Sequence, residues 1–269
     1  MLFGDHLIVV RGGGDLATGT VYRLQRAGFP VLVLELDKPL AIRRTVAVAS
    51  AVIEERALIE DLDAMRIDDI EEALKAAGSG VIPVMVSPTL PQLPWEPSVV
   101  VDARIAKKNI DTTINDAPFV VGLGPGFTAG VDCHAVVETM RGHVLGRVIW
   151  EGEATPNTGE PGMIGGRSAE RVVRAPTFGV LSWKVNIGDL VAKGDVLGHI
   201  NGVPIRSRLG GVVRGLLTPG YEVEWNWKLA DIDPRADTAA CFEISDKALS
   251  IGGGVVEAVL TWLNNRASR

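Results

Sequence analysis

Residues 6–10, His-Leu-Ile-Val-Val, form a short apolar run of buried-strand type. Residues 15–27 follow with a helical spacing. Ala17, Val21, Leu24 and Gly28 fall at i, i+4, i+7 and i+11, on one face. Asp15 stands at the start, and Gly28 with Pro30 at the end, in the order that opens and stops a helix. Residues 31–35, Val-Leu-Val-Leu-Glu, read as a second buried strand. Strand, helix, strand at this spacing predicts a parallel sheet covered by helices. A second helix is expected over residues 68–77, stopped by Gly78-Ser79-Gly80. Strands are expected over residues 81–86, 98–102 and 118–123, with a proline-rich connection over 88–97. Gly124-Pro125-Gly126 then leads into an expected helix over about residues 131–140, which would repeat the opening motif.

The pattern changes in the second half. Residues 155–166 are rich in glycine and proline, which marks a linker or a functional loop. Residues 176–232 carry turn signals at short intervals, among them Gly188-Asp189, Gly194-Asp195, Asn201-Gly202 and Pro219-Gly220. That spacing predicts a small all-β unit. Residues 245–264 return to a helical pattern, expected to pack back on the α/β part. The expected architecture is therefore α/β. A Rossmann-like, mostly parallel sheet occupies residues 1–172, an all-β domain 173–235, and a returning C-terminal segment 236–269.

Composition narrows the function classes. A chain of 269 residues with 46% hydrophobic content is long enough for a substantial core. A net charge of −6 and 5% aromatics leave neither a basic field nor a base-stacking surface for nucleic acid. No apolar run reaches the length of a membrane span. The first residues lack a basic segment followed by an apolar one, so no signal peptide is expected. Cys133 and Cys241 are the only cysteines, which suggests a cytoplasmic protein with free thiols. No metal-ligand spacing is present.

The candidate chemistry sits at the two glycine turns. Gly12-x-Gly14-x-x-Ala17, after a strand and opening a helix, fits the dinucleotide fingerprint. Glycines there let the backbone approach a pyrophosphate at the helix start. Glu35 ends the second strand, where an acidic residue grips a ribose hydroxyl. Asp15 at the helix entrance would repel a phosphate, and Arg11 would offset it. Arg43 and Arg44 would either meet a nucleotide phosphate or form a solvated turn. The second turn, with Gly122, Gly124, Gly126 and Thr128, resembles a backbone nest for an anion. Cys133 and His134 follow at the expected helix start, where a thiol would have a lowered pKa, with Glu138 one turn on. Asp102 ends a strand and is followed by the cationic run Arg104, Lys107 and Lys108. The expected ligand residues are thus Arg11, Gly12, Gly13, Gly14, Asp15, Glu35, Arg43, Arg44, Lys108, Gly122, Gly124, Gly126 and Thr128. Cys133, His134, Asp102 and Lys107 are the candidates for chemistry. A ligand-free tight turn and a buried structural cysteine are the plain alternatives. The central residues of serine hydrolases, P-loop NTPases and zincins are missing.

Several longer runs carry a resemblance. They are Arg11-Gly-Gly-Gly-Asp-Leu-Ala-Thr-Gly19, Leu40-Ala-Ile-Arg-Arg-Thr45, Val101-Asp-Ala-Arg104, Ala106-Lys-Lys-Asn109 and Gly122 through His134. Glu138-Thr-Met-Arg-Gly-His143, Pro156-Asn-Thr-Gly159 and Ile244-Ser-Asp-Lys-Ala248 complete the set. Together they resemble the YqeB-type family, accessory proteins of selenium-dependent molybdenum hydroxylase systems. The resemblance implies a role in maturing such hydroxylases. Separately, Val185-Asn-Ile-Gly-Asp-Leu-Val191 with Gly210-Gly-Val-Val213 is similar to a lipoyl/biotinyl barrel-sandwich hybrid. Its matching hairpin, Asn201-Gly202-Val203-Pro204, has no lysine to carry a swinging arm. The resemblance therefore implies a docking or covering role.

Two functional expectations follow. The first is an accessory protein that binds a phosphate-bearing cofactor, of nucleotide or molybdopterin type, and acts on a molybdenum hydroxylase or another maturation protein. The second is an NAD(P)-dependent oxidoreductase. Neither involves nucleic acid or membrane, and a homo-oligomer is compatible with both.

Overall fold

A computed structural model describes residues 1–157, 159, 166–167 and 169–268. The chain divides into two compact units. The first comprises Met1–Pro39, Ala47–Asn157 and Ile244–Arg269; the second comprises Leu40–Val46 and Thr158–Glu243. Among the described residues, no helix is long and apolar enough to cross a membrane.

The first unit runs β1 (Ile8–Arg11), α1 (Asp15–Ala27), β2 (Val31–Glu35), α2 (Ala51–Glu54), β3 (Arg56–Ile59), β4 (Leu62–Arg66), α3 (Ile70–Ser79) and β5 (Ile82–Val86). It continues with β6 (Val99–Asp102), β7 (Phe119–Leu123), β8 (Thr128–Ala129), β9 (Ala135–Val137), β10 (Val148–Ile149) and β11 (Gly152–Glu153). Nine strands form one sheet in the order β10-β9-β7-β6-β1-β2-β5-β4-β3. The inner strands run parallel, while β10 and β3 pair antiparallel at the two edges. Ile8, Val9 and Val10 are fully buried, as their unbroken apolar run requires of a strand covered on both faces. In α1 the expected stripe of Ala17, Val21 and Leu24 is buried, and Gly28 closes the helix at φ 96°.

The C-terminal helix α4 (Asp246–Ala267) returns to this unit and packs along α1. Glycines set their distance. A Cβ on Gly19 would lie 2.3 Å from the Ala248 backbone, and one on Gly252 2.3 Å from the Gly19 carbonyl oxygen. The two backbones are therefore in direct contact. Beyond α1, the helix also packs against β7, β9 and β10.

The expected Rossmann-like architecture with an appended barrel-sandwich hybrid is not what forms. The large sheet is mixed and nine-stranded, two further antiparallel four-stranded sheets are present, and helices are a minority of the chain. The physical reason lies after β6 and β7. Their connections are loops and short strands, and α4, arriving from the far end of the chain, packs where crossover helices would lie. The helix expected over residues 131–140 is replaced by β9, whose Ala-Val-Val pairs parallel with β7. β-branched residues favour that extended state.

The second unit holds β12 (Val172–Arg174), β13 (Gly179–Trp183), β14 (Leu190–Val191), β15 (Val196–Ile200), β16 (Val203–Arg206), β17 (Gly211–Leu216), β18 (Glu222–Val223) and β19 (Lys228–Asp233). They form two four-stranded sheets, β12-β19-β17-β14 and β16-β15-β13-β18. One core, including Leu181, Leu197, Ile200, Val213 and Leu229, joins them. Residues 40–46 belong to this unit. Leu216 N–H donates to the Ile42 carbonyl at 2.8 Å, and Ile42 packs on the same core.

Candidate functional site

The first glycine turn is closed by its own neighbours. Gly12, at φ 95°, donates its N–H to the Leu34 carbonyl at 2.7 Å. Gly13 donates to Glu35 Oε2 at 2.7 Å, and Leu36 N–H donates to Glu35 Oε1 at 2.7 Å. The Gly13 carbonyl accepts from Ala49 N–H at 2.9 Å. Glu35 thus places its own carboxylate where the fingerprint would seat a ligand anion. Burial raises its pKa, and these two N–H bonds oppose the rise. Gly14 differs from the two glycines before it. It is the N-cap of α1 without a side-chain cap bond, and a Cβ there would meet nothing within 4 Å.

Arg11 lies beneath the turn in a buried ionic network. It donates through Nη2 to Asp111 at 2.7 and 2.8 Å and through Nη1 to Thr112 Oγ1 at 2.8 Å. Thr112 Oγ1 donates to Asp102 Oδ2 at 2.7 Å. Arg104 bridges Asp102 at 2.5 Å and Asp111 at 2.7 Å. Burial pushes the Asp111 carboxyl up, but the Arg11 and Arg104 guanidiniums hold it below its ordinary value. Arg11 and Asp102 therefore anchor the loop after β6. That loop carries Lys107 and Lys108 exposed at its tip.

The second glycine turn is packed by protein. A Cβ on Gly122 would strike the Phe127 ring at 2.4 Å, on Gly124 the Thr139 hydroxyl at 2.6 Å, and on Gly126 the Lys108 backbone at 2.5 Å. Thr128 N–H donates to Asp132 at 2.9 Å, and its hydroxyl to Glu153 at 2.9 Å. Cys133 is not at a helix start. It is fully buried, and burial pushes its thiol up to about 12, opposite to the expected lowering. His134 Nδ1 accepts from Val120 N–H at 3.0 Å, and its ring stands 5.6 Å from Phe119. Phe119 begins β7, whereas Asp102 pairs with Gly122 near that strand's end. His134 and Asp102 therefore lie by opposite ends of β7, whereas Cys133 is within electrostatic reach of Asp102, whose charge adds to the upward shift of the thiol.

Arg43 and Arg44 are structural in the second unit. Arg43 Nη2 donates to the carbonyls of Ala240 and Glu243 at 3.2 and 3.3 Å, and Arg44 Nε to that of Leu216 at 2.7 Å. The run from residue 155 to 166 lies largely outside the described residues.

A different group does come together, at the carboxyl ends of the parallel strands, where open α/β sheets bind ligands. Glu138 follows β9. Its buried carboxylate accepts from Thr139 N–H at 2.6 Å, Met140 N–H at 2.7 Å, and Thr155 N–H and Oγ1–H at 2.7 Å each. Burial opposes its charge, yet these four donors hold its pKa below the ordinary value. Arg141 reaches Asp246 at 3.1 Å, tying the turn after β9 to the start of α4. The next residue, Lys247, is half-buried. Burial first and Arg141 second lower its pKa, while Asp15, Glu138 and Asp246 act the other way. Lys247, at the start of α4, is thus within electrostatic reach of both Asp15, at the start of α1, and Glu138. Lys247, Arg141 and Thr155 were not singled out from sequence as site residues. The signal was available, because Glu138, Arg141, Asp246 and Lys247 all fall within the runs that carry the YqeB-type resemblance.

Beside Glu138 is an open cavity of about 450 Å³, with Arg147 and Glu153 on its wall.

No family model matches the chain. Among solved structures, it resembles an aspartoacylase family protein from Mesorhizobium loti, at 11% identity and a TM-score of 0.29 over 84% of each chain. It also resembles a succinylglutamate desuccinylase/aspartoacylase from Rhodobacter sphaeroides, at 16% identity and a TM-score of 0.25 over 84% of this chain and 86% of that one. Likenesses this weak carry no argument about fold or chemistry. The sequence match is of another order. The chain is 49% identical over 258 residues to the uncharacterized protein YqeB of Escherichia coli (strain K12). The match covers 96% of this chain and 48% of that protein, so the chain spans about half the length of the curated relative it matches. It is thus a relative of YqeB along almost its whole sequence.

Proposed function

We propose that this chain is a cofactor-handling accessory protein that binds a phosphate-bearing ligand, of nucleotide or molybdopterin type, at the carboxyl edge of the nine-stranded sheet. In this reading it serves the maturation of a molybdenum hydroxylase, the role that the family resemblance of its sequence runs implies. The observation that carries the binding step is the entrance to α1. Gly14 leaves the first turn of a 13-residue helix without a side-chain cap, in open space, with Lys247 in electrostatic reach of Asp15 beside it. Free N–H groups at a helix start and a nearby ammonium are the elements of a phosphate site. The competing charges are largely engaged, with Glu138 bound by four donors and Asp246 paired with Arg141.

A nicotinamide dinucleotide fits less well. Its pyrophosphate needs the Gly13 amide, which Glu35 holds. A molybdopterin-type ligand, presenting a single phosphate end, requires only main-chain N–H groups at the start of α1 and Lys247, whose charge offsets that of Asp15. When bound, such a group would supply the metal-ligating dithiolene chemistry; the chain's part is to hold its phosphate between the start of α1 and Lys247.

Native mass spectrometry of protein purified from its own host, with inorganic phosphate titration of the apo-protein, tests this reading. A phosphate-bearing adduct is expected, and Lys247→Ala should weaken phosphate binding by about tenfold, the worth of one charge-assisted hydrogen bond. Absence of both, with unchanged hydroxylase activity in a strain lacking the protein, would overturn it.

A further inference from the structure

The cavity beside Glu138 has a composition that the phosphate site does not explain. Val144, Ile149, Ala154 and Pro156 give it an apolar wall. Arg147 and Glu153 line the same space with opposite charges. Arg147 has no carboxylate partner among the described residues, although two carboxylates border the cavity with it. Glu138 is not free to serve, since its oxygens already accept four hydrogen bonds. Glu153 is fixed instead by strand pairing and by the Thr128 hydroxyl, which donates to Oε1 at 2.9 Å. The Arg147 backbone is fixed as well, its carbonyl accepting from Glu138 N–H at 3.0 Å. A guanidinium and a carboxylate are thus positioned around one apolar-walled space without closing on each other.

We infer that this cavity binds a zwitterionic α-amino acid with an apolar side chain. The Arg147 guanidinium takes the ligand carboxylate in a two-pronged, charge-assisted contact. The Glu153 carboxylate takes its ammonium. The side chain lies on Val144, Ile149, Ala154 and Pro156, where burial of apolar surface adds to affinity. A ligand bearing only one of the charges would leave the opposite protein charge unsatisfied against that wall, which costs binding. The inference does not rest on the phosphate reading, because Lys247 does not line this cavity.

Calorimetric titration of the full chain with L-leucine and L-methionine tests it. Both should bind. Two leucine analogues isolate the charges: 4-methylpentanoate lacks the ammonium and 3-methylbutylamine lacks the carboxylate. Each should bind at least about tenfold more weakly than L-leucine. Arg147→Ala should abolish the preference for L-leucine over the amine, and Glu153→Gln the preference over the acid. Both residues are exposed, so neither substitution threatens the fold, and Glu153→Gln keeps an acceptor for Thr128. The proposal is overturned if neither amino acid binds at millimolar concentration, or if binding survives in the Arg147→Ala/Glu153→Gln double variant. Phosphate binding should be unchanged in that double variant, so failure here and failure of the phosphate reading are separate results.

Discussion

Glu138 shows how a residue can be recognised by type and still be misplaced by role. Its place within the run Glu138-Thr-Met-Arg-Gly-His143 was visible, as a helical neighbour of His134. Its actual work is done with Thr155, seventeen positions away, and no periodicity links those two. A buried carboxylate survives only when hydrogen bonds replace its hydration, and here four donors do so. Because its folded pKa lies below the ordinary 4.5, its stabilisation is fully present above that pH and is lost as pH falls through the folded value. Glu138→Gln should therefore destabilise the protein by roughly 2–4 kcal/mol at neutral pH, through two or more weakened charge-assisted bonds. Denaturant melts at stepwise lower pH should show wild type and variant converging as the pH falls from 4.5 through the folded value. A constant gap down to pH 2 would mean that packing, not charge, sets the loss. Cys133 makes the same point from the other side. The glycine turn before it suggested a helix start and an activated thiol, but the chain continues into β9 and buries the sulfur.

Elements with long periodicity were legible and short ones were not. The stripe of α1 and its glycine stop follow directly from residues 15–28. β9 is three residues long, too short for any pattern to separate it from a helical stretch. The return of the C-terminal helix to the α/β part was legible, but its backbone crossing with α1 was not; the glycines there form one run, Gly252-Gly253-Gly254. The structure gives these neighbours unlike duties. Gly252 lies against the Gly19 carbonyl, whereas a Cβ on Gly253 meets nothing within 4 Å. Gly253→Ala should stabilise α4 by about 0.5–1 kcal/mol, from helix propensity and a less flexible unfolded chain. Gly252→Ala should destabilise by about 1–3 kcal/mol, since overpacking outweighs the same propensity gain. Thermal melts of the pair make a test with opposite signs. Equal shifts would show that the two helices are not in backbone contact. Gly19→Ala should follow Gly252→Ala, because it meets the same crossing from the other helix.

At the scale of the whole molecule, the misjudged feature is continuity. The spacing of turn signals located the all-β stretch, but its unit also takes in residues 40–46, which sit in sequence just after β2 and look like an ordinary α/β loop. Arg43 and Arg44 accordingly bond carbonyls of the second unit rather than a ligand. The first unit is assembled from three separated segments, and its last, Ile244–Arg269, supplies α4. That helix buries Ile251, Val255 and Val259 with Ala248 and Ala258. Each large apolar side chain contributes about 1.5–3 kcal/mol, so the helix carries a large share of a typical stability of about 5–15 kcal/mol. It also delivers Lys247 to the start of α1. Removing residues 244–269 should therefore unfold the first unit and remove the proposed phosphate site with it. The second unit keeps its own core around Leu181, Val213 and Leu229. Hydrogen exchange on the truncated chain should show lost protection at the amides of Val31–Glu35 and retained protection at those of Gly211–Leu216. Retained protection in both would show that the nine-stranded sheet stands without its returning helix, and that α4 is there for the site alone.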